Sequence, residues 1–240
     1  MSTLLPSFLL NIETSNKMCS VSVCDLDGHI LIEKAQFAES HVAALMPMID
    51  TCLREKNILY TDLAAVAISN GPGSYTSLRV GVSTAKGLCY SLDIPLMAID
   101  SLKMFAGKVF ATVKKENAVY CPMFDARRME VYTAFYTFPD KKTETLAPPH
   151  ALILTENSFD ELTASGKEII LCGFGAKKTV SMFKNKNIVF NDTDIFPTAD
   201  MMCADACKFF HEKNFVDLAG YAPLYLKPPN ITISNKIIFR

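Results

Sequence analysis

The sequence predicts an α/β protein built twice over, as two domains that each open on a β-hairpin and continue in alternating helices and strands. Three observations carry this. At 240 residues the chain is long for one core, and two domains of roughly 100–150 residues are the natural division. Half of the residues are hydrophobic, which is ample for two layered cores. The hairpin-then-α/β pattern also restarts near residues 100–116, so the expected domains are 1–106 and 107–240.

In the first half, Phe8–Ile12 reads as a strand and Ser20–Cys24 as a second, joined by the polar turn Glu13–Lys17. Asp25-Leu-Asp-Gly28 is a hairpin turn, because Asp-Gly supplies the backbone that a tight turn requires, and His29–Phe37 is the return strand. A helix is expected over Ser40–Lys56, then a buried strand over the apolar run Ala64–Ser69. The turn from Gly71 to Ser74 opens a helix reaching Leu92, with Ser74 as its N-cap. Leu96–Ile99 is a short strand, and Ser101 caps a helix over 102–115.

In the second half, Ala118–Phe124 and Glu130–Tyr136 are strands flanking the charged turn Asp125-Ala-Arg-Arg128. Ala151–Leu154 reads as a strand, with His150 in a loop after two prolines, and Ser158–Ser165 as a short helix. Glu168–Cys172 is a strand ending in Gly173-Phe-Gly175, followed by a short helix over Lys177–Phe183. Thr198–Lys213 is an amphipathic helix with Met201, Ala204, Cys207, Lys208 and His211 at helical spacing.

Charge and cysteine usage exclude several classes. The net charge is −1 and no Lys/Arg block exceeds two residues, so the surface as a whole is no footprint for nucleic acid. The eight cysteines form no C-x-x-C pair and sit in apolar runs, which reads as reduced core thiols of a cytosolic protein. Cys203 and Cys207 share a helix face, but no His pair or second Cys pair joins them in a metal site. The N-terminus lacks a basic region and is broken by Pro6, and no apolar run approaches the roughly 20 residues that span a bilayer. A cytoplasmic protein without a membrane partner is expected.

The stretch Gly71–Gly87 carries the most chemistry. A strand that ends in a Gly-rich turn and feeds a helix N-terminus leaves backbone N–H groups free and adds positive dipole potential, which suits a phosphate. Duplicated hairpin-plus-α/β domains with polar first turns resemble the actin-like ATPase superfold (ASKHA, ribonuclease H-like), which clamps nucleotide phosphates between its halves. Its first turn usually carries Asp followed by Gly or Thr; here the turn reads Glu13-Thr14-Ser15-Asn16. Glu13, Thr14, Gly71, Gly73 and Asp125 are therefore candidate, vestigial nucleotide contacts, and Gly173-Phe-Gly175 resembles a worn phosphate loop.

One family matches more closely. Leu10-Asn-Ile-Glu-Thr-Ser, Cys19-Ser-Val-Ser-Val, His41 with Leu45-Met-Pro-Met-Ile49, and Asn70-Gly-Pro-Gly-Ser-Tyr-Thr-Ser-Leu-Arg-Val-Gly-Val82 come first. Asp125-Ala-Arg-Arg-Met-Glu-Val-Tyr132 and Pro223-Leu-Tyr-Leu-Lys227 follow in the same order. Over residues 8–230 this resembles the TsaB (YeaZ) family, with Glu13, Ser77 and Met129 as departures that crowd a nucleotide cleft. The resemblance implies a non-catalytic scaffold in bacterial synthesis of tRNA threonylcarbamoyladenosine. It also implies binding to the catalytic paralogue TsaD and to the ATPase TsaE, a homodimer when TsaD is absent, and tRNA met only through the complex. No cofactor is implied as required, and ATP or ADP at the partner interface is left open.

The residues agree with a scaffold. A metal-holding pair needs histidines at i and i+4; here i+4 from His41 is Leu45, so one imidazole stands alone. No nucleophile–base set stands out, and Asp125, Arg127, Arg128 and Glu130 read first as a structural charge network, with a cleft-lining role as the alternative. The helix over 41–54 shows Val42, Leu45, Met46, Ile49 and Leu53 as a core stripe, while Ala44, Met48 and Cys52 leave its other side apolar. The next helix carries the small residues Gly81, Ser83, Ala85 and Gly87. Burial between layers explains these faces, but a protein interface is preferred. It comprises His41, Leu45, Met46, Met48, Ile49 and Cys52 on one helix, and Tyr75, Arg79, Val82, Ala85, Lys86 and Cys89 on the other. A stand-alone actin-like ATPase or kinase, and a metal-dependent peptidase, are the competing readings.

Overall fold

The computed structural model describes residues 6–183, 187–191 and 195–228. Residues 229–240, which hold the last part of Pro228-Pro-Asn-Ile-Thr-Ile-Ser-Asn-Lys-Ile-Ile-Phe-Arg240, lie outside the described residues. Two five-stranded mixed sheets form the frame. In the first, β1 (Phe8–Glu13), β2 (Met18–Asp25) and β3 (Ile30–Phe37) run antiparallel, and β4 (Leu63–Ser69) and β5 (Leu96–Ile99) extend it in parallel from β1. Its order is β3-β2-β1-β4-β5. In the second, β6 (Ala118–Asp125), β7 (Glu130–Thr137) and β8 (Glu144–Ile153) are antiparallel. There β9 (Glu168–Cys172) and β10 (Ile188–Asn191) continue in parallel from β6, giving β10-β9-β6-β7-β8. The two orders are the same order in reverse listing. This is the duplicated actin-like arrangement the sequence leads one to expect.

Helices α1 (His41–Glu55) and α2 (Tyr75–Leu92) cover one face of the first sheet, packing Leu45, Ile49, Cys52 and Ala85 against Leu10, Ile12, Val66 and Ile68. Its other face is closed from the far end of the chain. Helix α5 (Cys203–His211) sets Cys203, Ala206 and Cys207 against Leu9, Cys24, Ala65 and Met97. Helix α3 (Ser101–Val113) lies on the second sheet, with Phe105 and Val109 meeting Tyr120, Phe124 and Tyr136. The second sheet's outer face is capped by Phe159, beside α4 (Asp160–Ala164), and by Phe183.

Residues 214–226 then return over the first half. Val216 N–H donates to Leu96 O at 3.0 Å, and Leu224 N–H to Asn70 O at 2.8 Å. Lys86 Nζ holds this segment from beneath, donating to Ala219 O at 3.0 Å and Tyr221 O at 2.9 Å.

Several local expectations are corrected. Asp100, not Ser101, caps α3, accepting from Leu102 N–H and Lys103 N–H. Ser74 occupies the N-cap position of α2, but its hydroxyl pairs with Ser77 at 2.9 Å instead of capping the helix. The last helix is shorter than expected and buries Cys203, Ala206 and Cys207, leaving Ala204, Lys208 and His211 exposed. Lys177–Phe183 is no α-helix; only a short 3-10 turn, Ala176–Thr179, forms. The strand near Ala151 begins at Glu144 and takes in Pro148, Pro149 and His150. It tolerates prolines because β8 is an edge strand, where one side of the ladder has no partner to lose.

Candidate functional site

The first candidate site starts where β1 ends. The turn 14–17 and the Gly-rich turn after β4 meet there, and they meet too closely to hold an anion between them. Ser74 N–H, at the head of α2, donates to Ser15 O at 2.7 Å. A Cβ on Gly73 would lie 2.2 Å from that same carbonyl oxygen, and a Cβ on Gly81 would lie 2.2 Å from Thr14 Oγ1. The glycines therefore admit the protein's own backbone where a phosphate would need room. Gly71 adopts a φ of +89°, the left-handed region that favours glycine, and its N–H donates to Ser101 Oγ at 3.2 Å.

Glu13 sits behind this contact. Its carboxylate is fully buried and accepts from Ser15 N–H, while Oε2 has no partner among the described residues. Burial pushes its pKa up to about 7, with the Ser15 and Ser69 hydrogen bonds acting in the opposite direction. A buried acid that is protonated up to neutrality is poorly suited to hold a magnesium–phosphate group. Thr14 Oγ1 and Ser15 Oγ are likewise buried without partners.

The matching turn of the second half is open. Asp125 is exposed, accepting from Arg127 N–H at 2.6 Å and from Lys178 Nζ at 2.5 Å. Lys178 also donates to Glu130 O at 2.9 Å, and Glu130 Oε2 pairs with Lys227. The charge network expected around Asp125 and Glu130 is present, but the lysines that complete it are Lys178 and Lys227. Arg127 and Arg128 hold positive φ values of 70° and 49° and are exposed. Gly173 and Gly175 serve packing, since a Cβ on either would lie within 2.9 Å of Met123 O.

Between the halves lies a cleft of about 740 Å³, walled by the Ser15 and Gly73 turns on one side and by Asp125, Arg127 and Tyr132 on the other. The returning segment, including Tyr225, borders it. His41 also lines the cleft; it is buried, and burial pushes its imidazole pKa below the usual value.

The α1–α2 face is the second candidate site, and it differs from expectation in which side chains it shows. His41, Leu45, Met48, Ile49 and Cys52 are buried in α1, and Val82, Ala85 and Cys89 in α2. Apart from His41, which borders the cleft, they form the face turned toward the sheet. Lys86 is spent on the returning segment. Of the expected residues, Met46, Tyr75 and Arg79 are exposed, and Val42, expected in the core, is 71 % exposed. Gly81 and Ala85 pack inward while Ser83 and Gly87 face solvent, so the small residues do not share one face.

The outward side chains form an open groove of about 420 Å³ lined by Val42, Tyr75, Arg79, Val80, Ser83 and Thr84. Tyr75 packs against Tyr225 with ring centroids 4.7 Å apart and planes tilted by 41°, and Arg79 lies over the Tyr75 ring at 5.4 Å. Tyr225 and Val80 were not singled out by sequence reasoning. The Pro223–Lys227 motif was the one signal that could have pointed to Tyr225.

Comparison with known proteins fits this geometry. A family model described as "TsaD: tRNA N6-adenosine threonylcarbamoyltransferase" matches residues 22–233, which with the fold defines an actin-like protein related to that transferase. The "tRNA threonylcarbamoyladenosine biosynthesis protein TsaB" of Bacillus subtilis (strain 168) is 32% identical over 222 residues, covering 91% of this chain and 93% of that one. Its Escherichia coli (strain K12) namesake is 26% identical, covering 91% and 94%. The solved structure "YeaZ from Pseudomonas aeruginosa" superposes with a TM-score of 0.76 at 22% identity over 92% of this chain and 100% of that one, a likeness of fold. The chain belongs to the TsaB (YeaZ) family.

Proposed function

We propose that the chain serves tRNA threonylcarbamoyladenosine biosynthesis as a non-catalytic scaffold that binds and activates the transferase TsaD, in an assembly with the ATPase TsaE. One observation carries the reading: the turn that would grip phosphate is closed by the chain's own backbone, through Ser74 N–H and Ser15 O at 2.7 Å. Supporting it, the buried Glu13 carboxyl, whose Oε2 has no partner among the described residues, lacks the exposure a metal–phosphate ligand needs. The outward α1–α2 face, with Val42 and Tyr75 lining the groove and Met46 exposed on α1, supplies apolar contact area for a partner helix. In this reading the same face pairs two copies when TsaD is absent, and tRNA is met only through the complex. A nucleotide, ATP or ADP, would belong to the partner interface.

Reconstitution tests this directly. Adding the purified chain to TsaD, TsaE, threonylcarbamoyl-adenylate and tRNA is expected to raise modification well above the level without it. An equal yield with and without the chain would sink the proposal. The open cleft of about 740 Å³ favours one competing reading, a nucleotide enzyme acting alone. Calorimetry with magnesium-ATP separates the two: micromolar binding with turnover by the isolated chain favours the competitor.

A further inference from the structure

Three thiols converge under α5, away from both sites above. Cys24 comes from β2, Cys203 is the first residue of α5, and Cys207 follows one turn later on the same helix face. The Asn11 amide bridges two of them, donating to Cys203 Sγ at 3.3 Å and Cys24 Sγ at 3.4 Å. Ser22 Oγ lies 3.5 Å from Cys203 Sγ, and the Cys24 and Cys203 thiols are within hydrogen-bonding reach of each other. Cys207 donates its thiol to Asp25 O at 3.4 Å and also lies within hydrogen-bonding reach of Cys24.

These groups favour one thiolate. Cys203 can accept from the Asn11 N–H, with the Ser22 O–H and the Cys24 S–H also within reach, while as a thiol it lies 4.0 Å from Ala199 O. The Cys24 hydrogen bond, with help from Ser22, draws the Cys203 thiol below its ordinary pKa against the opposing effect of burial. Sharing works the other way at Cys24, which keeps its proton. A second thiol pair shows what is special here. Cys121 and Cys172 lie on the adjacent strands β6 and β9, both buried, and burial pushes both thiols up.

We propose that Cys203 is a redox modification site, oxidised by peroxide and resolved by Cys24 as a disulfide that staples α5 to β2. The chemistry balances with hydrogen peroxide as the oxidant. The Cys203 thiolate attacks one peroxide oxygen, the O–O bond breaks, hydroxide leaves and Cys203 becomes a sulfenic acid. The Cys24 sulfur then attacks that sulfur, the S–O bond breaks, the S–S bond forms, and the Cys24 proton leaves with the hydroxyl as water. Two thiols lose two electrons, and one peroxide becomes two waters. Cys24 and Cys203 are both buried, at 0% and 3% exposure, so the reaction requires local opening of α5. The staple would tie the last helix to the first sheet across most of the chain, a long loop of the kind that gains most from closure.

The test treats the full-length chain with hydrogen peroxide, alkylates the remaining thiols and maps unreduced peptides by mass spectrometry. The expected result is a Cys24–Cys203 linked peptide, two of the eight cysteines protected from alkylation, reversal by dithiothreitol, and a higher Tm for the oxidised chain. Cys24→Ser should instead accumulate dimedone-reactive sulfenic acid at Cys203. Should that variant fail to fold, alkylation rates in the untreated natural chain decide alone: Cys203 should react at least about tenfold faster than Cys121. Equal rates, or linkage that forms only in urea, overturn the proposal; so does a link through Cys207 in place of Cys203.

Discussion

The two halves share one topology and treat the same turn in opposite ways. After β1, the acid Glu13 is fully buried, and the following turn is packed backbone to backbone on the Gly-rich loop. After β6, the acid Asp125 is exposed and meets a Lys178 that is itself mostly covered. Duplication alone would have kept both turns alike. The difference teaches that the first half has converted an anion-shaped turn into packing, which fixes the head of α2 and so the groove beside it. The second half keeps a charged rim on the cleft.

The most forceful way to break this comparison is to force the first turn open. Gly73→Ala would place a methyl group 2.2 Å from Ser15 O, a backbone atom that cannot turn aside. Overpacking of this kind costs about 3 kcal/mol or more, so chemical denaturation should show severe loss of stability or no folded protein. A stability matching that of the natural chain would mean the two turns are not in contact.

Glu13 gives the next largest effect, and its sign follows from the direction of its shift. Its pKa in the folded state is about 7 against an ordinary 4.5, so the folded chain holds this proton more tightly than the unfolded chain. The stability it contributes is fully present below pH 4.5 and is lost as pH rises through 7. The difference corresponds to about 3 kcal/mol across that window. Glu13→Gln, which cannot ionise, should flatten the profile and be the more stable protein at pH 8, as read from urea midpoints. A variant that is less stable than the natural chain at pH 8 would show that the carboxylate is ionised and satisfied.

The exposed turn should respond far less. Lys178→Ala removes the partner of a half-exposed Asp125, and surface pairs are worth about 0–1 kcal/mol. Its Tm should stay within a few degrees of the natural chain, and salt should shrink the difference further. Arg127→Ala should be smaller still, with no measurable change in Tm, because its guanidinium is exposed at the cleft mouth.

The halves also differ in how readily they are read from sequence. Strands such as β1, β4 and β6 are legible because they are short apolar runs bounded by turn residues, and the Gly-rich loop announces the start of α2. The buried face of α1 is not legible, because apolar residues surround that helix. Val42 and Met46 are as apolar as Met48 and Cys52, and only the sheet beneath decides which pair is buried. Lys178 and Lys227 complete the charged turn from about 50 and 100 residues away, a pairing no local pattern encodes. Glu13 could be placed at the end of a strand but not inside a core, since its burial comes from the loop packed over it. Sequence therefore named the helices and turns but misjudged which side chains face outward. Ala85 is one casualty: it is buried and cannot serve as a surface probe, whereas Met46 can.

Under the proposed function the outward face of α1 and α2, and not the cleft, is where this chain acts. Sedimentation of the chain with TsaD, natural sequence against Met46→Glu, tests that claim with a residue whose side chain leaves the core untouched. A heterodimer for the natural chain and a Kd at least about tenfold weaker for the variant, with Tm unchanged, is the predicted result. An identical Kd for the two would contradict it.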